Sequence, residues 1–166
     1  MELLRTWELV AAPPDGVPAA LTEPCARVGR DLSAFTGTLP PGTRWTLAAE
    51  RPVVRLGLCA PGLEFGRSVD TALPPGELTV RVAELVQDHL TGFAFLQWPA
   101  CPGHSHPLLP AAGGLPPGGH WRCRSTGADV AAIGGPGLSA RGGGRRGVTG
   151  RAHEFRPCRA GGRAAR

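Results

Sequence analysis

Residues 44–69, RWTLAAERPVVRLGLCAPGLEFGRSV, decide the fold class. Trp45, Leu47 and Ala49 alternate with Arg44, Thr46 and Ala48, and Val54, Leu56 and Leu58 alternate with Val53, Arg55 and Gly57. Leu63, Phe65, Arg67 and Val69 make a third run. Successive side chains of a strand point to opposite faces, so this period of two predicts three strands with one buried face. The breaks Glu50-Arg51-Pro52 and Ala60-Pro61-Gly62 are short enough to be hairpin turns, which makes the runs an antiparallel meander. Three strands with an apolar face need a cover to be stable.

The segment that follows supplies one. In residues 75–91, Pro75 suits a first helical turn, Glu77 complements the positive end of a helix, and Gly92 can end it. Leu78, Val82, Leu85, Val86 and His89 form one helical stripe, with Arg81, Glu84 and Asp88 on other faces. Burying each of those aliphatic side chains is worth roughly 1.5–3 kcal/mol before chain entropy is subtracted. A second helix is predicted from Thr22 to Phe35, with Thr22 as its cap and Cys25, Val28, Leu32 and Phe35 on one face. Leu3, Leu4, Trp7 and Val10 fit a short helix or an edge strand equally well.

These elements predict a small α+β fold, an antiparallel meander covered by one or two helices. It divides into an α+β body over 1–92, a Pro/Gly-rich Cys/His module over 93–137 and an Arg/Gly-rich tail over 138–166. The tail has few apolar side chains and many glycines, so it is expected to be disordered.

Charge follows the same division. The net charge is +5, but residues 1–140 hold ten Arg against twelve acidic residues, and residues 141–166 hold eight Arg against Glu154 alone. The basic character therefore belongs to the tail, and the body carries no excess of positive charge of the kind that reads nucleic acid. The chain has no Lys, Asn or Tyr, the signature of a GC-rich gene in which Arg replaces Lys. A GC-rich gene translated in a shifted frame would also yield a Gly/Arg/Ala run, so the tail reads equally as a basic arm or as such a product. Nucleic acid is an expected partner only if the arm is genuine; otherwise the expected partner is protein.

Glu2, Arg5 and Glu8 interrupt the N-terminal apolar residues, which argues against a secretory signal, and no run approaches the length of a membrane span. Five cysteines, odd in number and widely spaced, do not form a disulfide framework. The expectation is a cytoplasmic protein with no membrane partner.

One constellation carries chemistry. In WPACPGHSHPL, residues 98–108, Cys101 and His104 stand at C-x2-H spacing, and in HWRC, residues 120–123, His120 and Cys123 stand at H-x2-C. Two short knuckles giving two ligands each are how tetrahedral zinc sites are commonly built. His106 competes with His104, and Asp88 or His89 can be drawn in from the helix. Zinc is thus the expected cofactor: four protein ligands would make it structural, three would leave a position open to water. The same residues also fit a Pro/Gly loop in which Cys101 and Cys123 simply pack beside Trp98 and Trp121.

The run VAELVQDHL…WPACPGHSHPL…WRC, about residues 80–123, resembles a group of small uncharacterised actinobacterial proteins that share a helix, a W-P-x-C-P-x-H-x-H-P-L knuckle and then W-x-C. The resemblance implies an architecture and no reaction. In that group the second cysteine is commonly followed by Pro, where this chain has Arg124, and His120 is not one of its shared positions.

Other candidates carry less. Ser68 and Asp70 lack the strand–turn–helix context of a hydrolase nucleophile, and the glycines at 134–137 and 142–144 open no helix that would bind phosphate. Cys25 and Cys59 read as core thiols. No catalytic set is expected. The readings left open are a non-catalytic binding or adaptor domain, a small metal-dependent enzyme, and a nucleic-acid binder acting through the tail.

Overall fold

The computed structural model describes residues 3–35, 39–50, 53–113, 118–136 and 138. The stretch expected to be disordered, from about residue 140, lies outside the described residues.

The meander is present and has four strands. β1 (Leu3–Glu8), β2 (Arg44–Glu50), β3 (Val53–Ala60) and β4 (Leu63–Ser68) form an antiparallel sheet in sequence order. The N-terminal segment, open between helix and strand in the sequence, is the edge strand, because its Trp7 pairs with Trp45 across the sheet and the two indoles stack at 6.3 Å. The register places Trp45 opposite Leu58 and Leu47 opposite Leu56, and all four are buried. Cys59 lies opposite Arg44 and Glu64, out of step with that row, so it is buried without joining the main apolar cluster. It is a buried thiol, as expected, on the opposite row of β3 from Leu56 and Leu58. At Gly57 a Cβ would run into the Phe65 carbonyl of the neighbouring strand, so only glycine fits this crossing.

Two helices lie on the apolar face. α1 (Thr22–Ala34) begins at Thr22 itself, one residue earlier than expected, since Leu21 closes a preceding 3-10 turn at Ala19–Leu21 and takes the capping position. Its Cys25, Val28 and Leu32 face inward as expected, while Phe35 sits at the C-cap and is half-exposed. α2 (Pro75–Gly92) runs through Gly92 and ends at Phe93, with the left-handed turn taken by Phe95 at φ 54°.

α2 is buried over more of its circumference than the expected stripe. Thr79, Val80, Ala83 and Gln87 are covered as well, because α1 and a second sheet also pack against the helix. That sheet is built from β5 (Leu109–Ala111), β6 (His120–Arg122) and β7 (Asp129–Ala132), all antiparallel, in a region expected to be loop. Gln87 Nε2 ties α2 to it by donating to the carbonyls of Trp98 (2.8 Å) and Leu108 (2.6 Å). Trp98 and Trp121 meet edge to face at 5.2 Å, and with Leu108 and Ile133 they share one hydrophobic cluster with both helices and the meander.

α1 clamps the same region from its end. The buried Asp31 accepts hydrogen bonds at Oδ2 from Trp121 Nε1 (2.7 Å) and the Gly134 amide (2.8 Å), and Arg30 donates to the Gly134 carbonyl (3.0 Å). Gly134 has φ 72°, and a Cβ there would collide with the Arg27 backbone, so the position admits only glycine. Burial pushes the Asp31 carboxyl above its usual range, and the hydrogen bonds from Trp121 and Gly134 together with Arg30 pull it partly back.

Candidate metal centre

Two tight turns bring four of the expected ligands together. The first is closed by a bridge between Ala100 and Pro107, with the Cys101 amide donating to the His106 carbonyl (3.0 Å) and the Leu108 amide to the Pro99 carbonyl (2.9 Å). Pro102 and Gly103 make its exposed tip, and His104 follows them. The second turn links β6 to β7: the Cys123 amide donates to the Ala128 carbonyl and the Gly127 amide to the Cys123 carbonyl, both at 2.8 Å. Gly127 takes φ 71°, the left-handed step that lets so short a turn reverse.

The sulfur and nitrogen atoms converge. Cys101 Sγ lies 3.7 Å from Cys123 Sγ, and His104 Nδ1 lies 3.3 Å from each sulfur. One ligand atom from each of Cys101, His104, His106 and Cys123 fits within a span of 4.8 Å. Zinc–sulfur bonds of about 2.3 Å and zinc–nitrogen bonds of about 2.0–2.1 Å give tetrahedron edges of roughly 3.8 Å between sulfurs and 3.5 Å between sulfur and nitrogen. The observed edges fall within a few tenths of an ångström of those values. The group can hold a metal ion.

His106 is oriented by its neighbours. Its Nδ1 lies 2.9 Å from the Pro107 carbonyl, which can only accept, so the ring proton sits on Nδ1 and Nε2 presents a lone pair. The Ser125 hydroxyl donates to that Nε2 at 2.9 Å. A ring N–H fixed on a backbone carbonyl is the arrangement that aims metal-binding histidines elsewhere. His104 stacks on His106, ring centres 5.1 Å apart, and is exposed, whereas both cysteines are buried beneath it.

The Cys123 thiol is held at about 6, far below its ordinary value. The Thr126 hydroxyl and amide are the main cause; the Ser125 amide and the Cys101 thiol add to it, and burial opposes it. Amides aimed at a sulfur from the same turn favour the thiolate, the form that ligates metal. Cys25 is the opposite case: burial pushes its thiol up to about 12, and it is inert packing.

His120 does not join the group. It sits on β6 beside Arg122 and contacts Asp129 at 2.9 Å, while Trp121 points into the core and Cys123 is buried at the same cluster. Residues three apart along an extended chain face opposite ways, so an H-x2-C spacing that serves on a turn fails on a strand. The ring of His89 is stacked between Phe65 (3.9 Å) and Phe93 (5.3 Å), and Asp88 is an exposed residue of α2; neither belongs to the cluster. Ser125 and Thr126, which orient His106 and Cys123, carried no signal in the sequence.

No family model, no curated protein and no solved structure matches the chain. Among the described residues, no helix is long and apolar enough to cross a membrane.

Proposed function

We propose that the protein is a non-catalytic binding or adaptor domain in which Cys101, His104, His106 and Cys123 hold a structural zinc ion. The observation that carries this reading is the near-tetrahedral spacing of two sulfurs and the His104 nitrogen, with a fourth ligand already carrying its proton on the far nitrogen. The cluster contains no carboxylate to serve as a general base beside a metal-bound water. Zinc would fasten the exposed tips at 102–105 and 124–128 to each other, giving a fixed surface for a protein partner. Paired reduced thiols suit a reducing, cytoplasmic setting.

A second reading, a small metal-dependent enzyme, is favoured by one detail: the Ser125 hydroxyl already occupies His106 Nε2, which would leave three ligands and an open position. Cobalt substitution of the purified full-length chain separates the two. Four protein ligands give a tetrahedral spectrum unchanged by added anions, whereas an open position gives one that shifts with them. Protein prepared with ample zinc under reducing conditions should contain about one equivalent. A metal-free preparation with both thiols freely alkylated in the folded state would remove both readings.

A further inference from the structure

We infer that Cys101 and Cys123 form a zinc-for-disulfide exchange switch, a modification site at which a hydroperoxide drives out the metal and closes a Cys101–Cys123 bond; this rests on the zinc reading above. The two sulfurs touch at 3.7 Å although 22 residues separate them. A disulfide needs about 2.05 Å, so each sulfur has to move by less than about 1 Å, within the play of a side chain. Of the other described cysteines, Cys25 belongs to α1 and Cys59 to β3, and neither enters the ligand cluster, so the local pairing is unambiguous.

The route in passes His104. Its ring is exposed and covers both sulfurs, and at Gly103 beside it a Cβ would meet no other atom, so a small oxidant reaches the thiolates once the ring swings off the metal. The chemistry balances with the hydroperoxide as the oxidant. One thiolate sulfur attacks a peroxide oxygen and breaks the O–O bond, forming a sulfenic acid and expelling hydroxide, which takes a proton from solvent to leave as water. The second thiolate then attacks that sulfur, the S–O bond breaks, and a second water leaves with protons from solvent. Two electrons pass from the sulfurs to the peroxide, and zinc leaves as the divalent ion because its two anionic ligands are gone.

The exchange changes the surface rather than the core. Zinc joins four ligands on two turns, while the disulfide joins only two, so His104 and His106 are released and His106 is left to Ser125 and Pro107. The exposed tips at 102–105 and 124–128 lose their mutual fixing while the tryptophan cluster beneath stays covered.

The test treats the zinc-loaded full-length chain with a slight excess of hydrogen peroxide and reads released zinc, intact mass and cross-linked peptides from the same samples. The expected result is one zinc released per chain, in step with the loss of two hydrogens and a Cys101–Cys123 peptide, all reversed by dithiothreitol. Metal-stripped chain treated in parallel should close the same bond faster. His104→Ala keeps both thiols; it should weaken zinc binding by more than roughly a hundredfold, beyond the roughly 10–100-fold that outer-shell changes commonly cost, and should speed closure at limiting peroxide. A chain that never takes up zinc yet closes this bond overturns the zinc reading and the exchange with it. Zinc uptake followed by sulfinic acid, by linkage to another cysteine, or by metal release without this bond overturns the switch and leaves the zinc reading standing.

Discussion

Asp31→Ala tests whether the second sheet is part of the fold's stability or an attachment to it. Oδ2 accepts from Trp121 Nε1 at 2.7 Å and from the Gly134 amide at 2.8 Å, and the Trp121 side chain is fully buried. Truncation leaves both donors without their acceptor, and a buried donor without a partner costs about 1–3 kcal/mol. Relief from holding a carboxylate in a buried place offsets part of that. The net loss should be about 2–4 kcal/mol, read as a lower urea midpoint at unchanged slope. Asp31→Asn keeps an oxygen for both donors and should stay within about 1 kcal/mol of the parent. The pH dependence has a defined sign. The folded chain holds the Asp31 proton to higher pH than the unfolded chain does, so this group's contribution is complete below the unfolded value and declines as pH rises through the folded one. The Asn variant should lack that decline. An Ala variant with the parent's midpoint, or an Asn variant as weak as the Ala one, would refute the reasoning.

Leu85, buried on α2, should cost about 2–5 kcal/mol when cut to Ala, measured by denaturant unfolding. His120→Ala should leave the zinc content of the purified protein unchanged, whereas Cys101→Ser and Cys123→Ser should each lower it, by metal analysis. In metal-stripped protein, Cys123 should react with iodoacetamide at a rate that rises through about pH 6 and levels off above it. Cys25, pushed up to about 12, should stay unmodified across the neutral range in the same mass spectra. A chelator should increase hydrogen exchange over residues 98–128 and spare the meander, since the knuckles hold few aliphatic side chains of their own.

The parts legible in the sequence are those whose periodicity reports burial directly. β2 buries one row and β3 continues it, and the alternation of Trp45, Leu47, Leu56 and Leu58 states this outright, whereas the burial of Gly57 and Cys59 on the other face of β3 has no such signal. α2 was legible as a helix but not as a central one, because Thr79 and Gln87 look like surface residues until the elements packed against α2 are known. The second sheet has strands of three and four residues, too short to show a period. Cys101, His104, His106 and Cys123 were legible through spacing; the exclusion of His120 was not, since it depends on whether residues 120–123 run as strand or turn. The Asp31–Trp121 bond spans 90 residues, and no local pattern encodes such a pairing.

That span also sets a timetable for synthesis. Arg30 and Asp31 grip the two sides of Gly134, 104 and 103 residues further along the chain. At a translation rate of about 5–20 residues per second, α1 leaves the ribosome roughly 5–20 s before the residue it holds has been made. Through that interval the nascent helix carries a carboxylate destined for the interior and an apolar face only partly covered by the meander. Substitutions at Gly134 should therefore lower the yield of folded protein in the cell by more than their effect on the finished molecule, because they prolong the time during which this half-built intermediate is available to proteases and to other nascent chains.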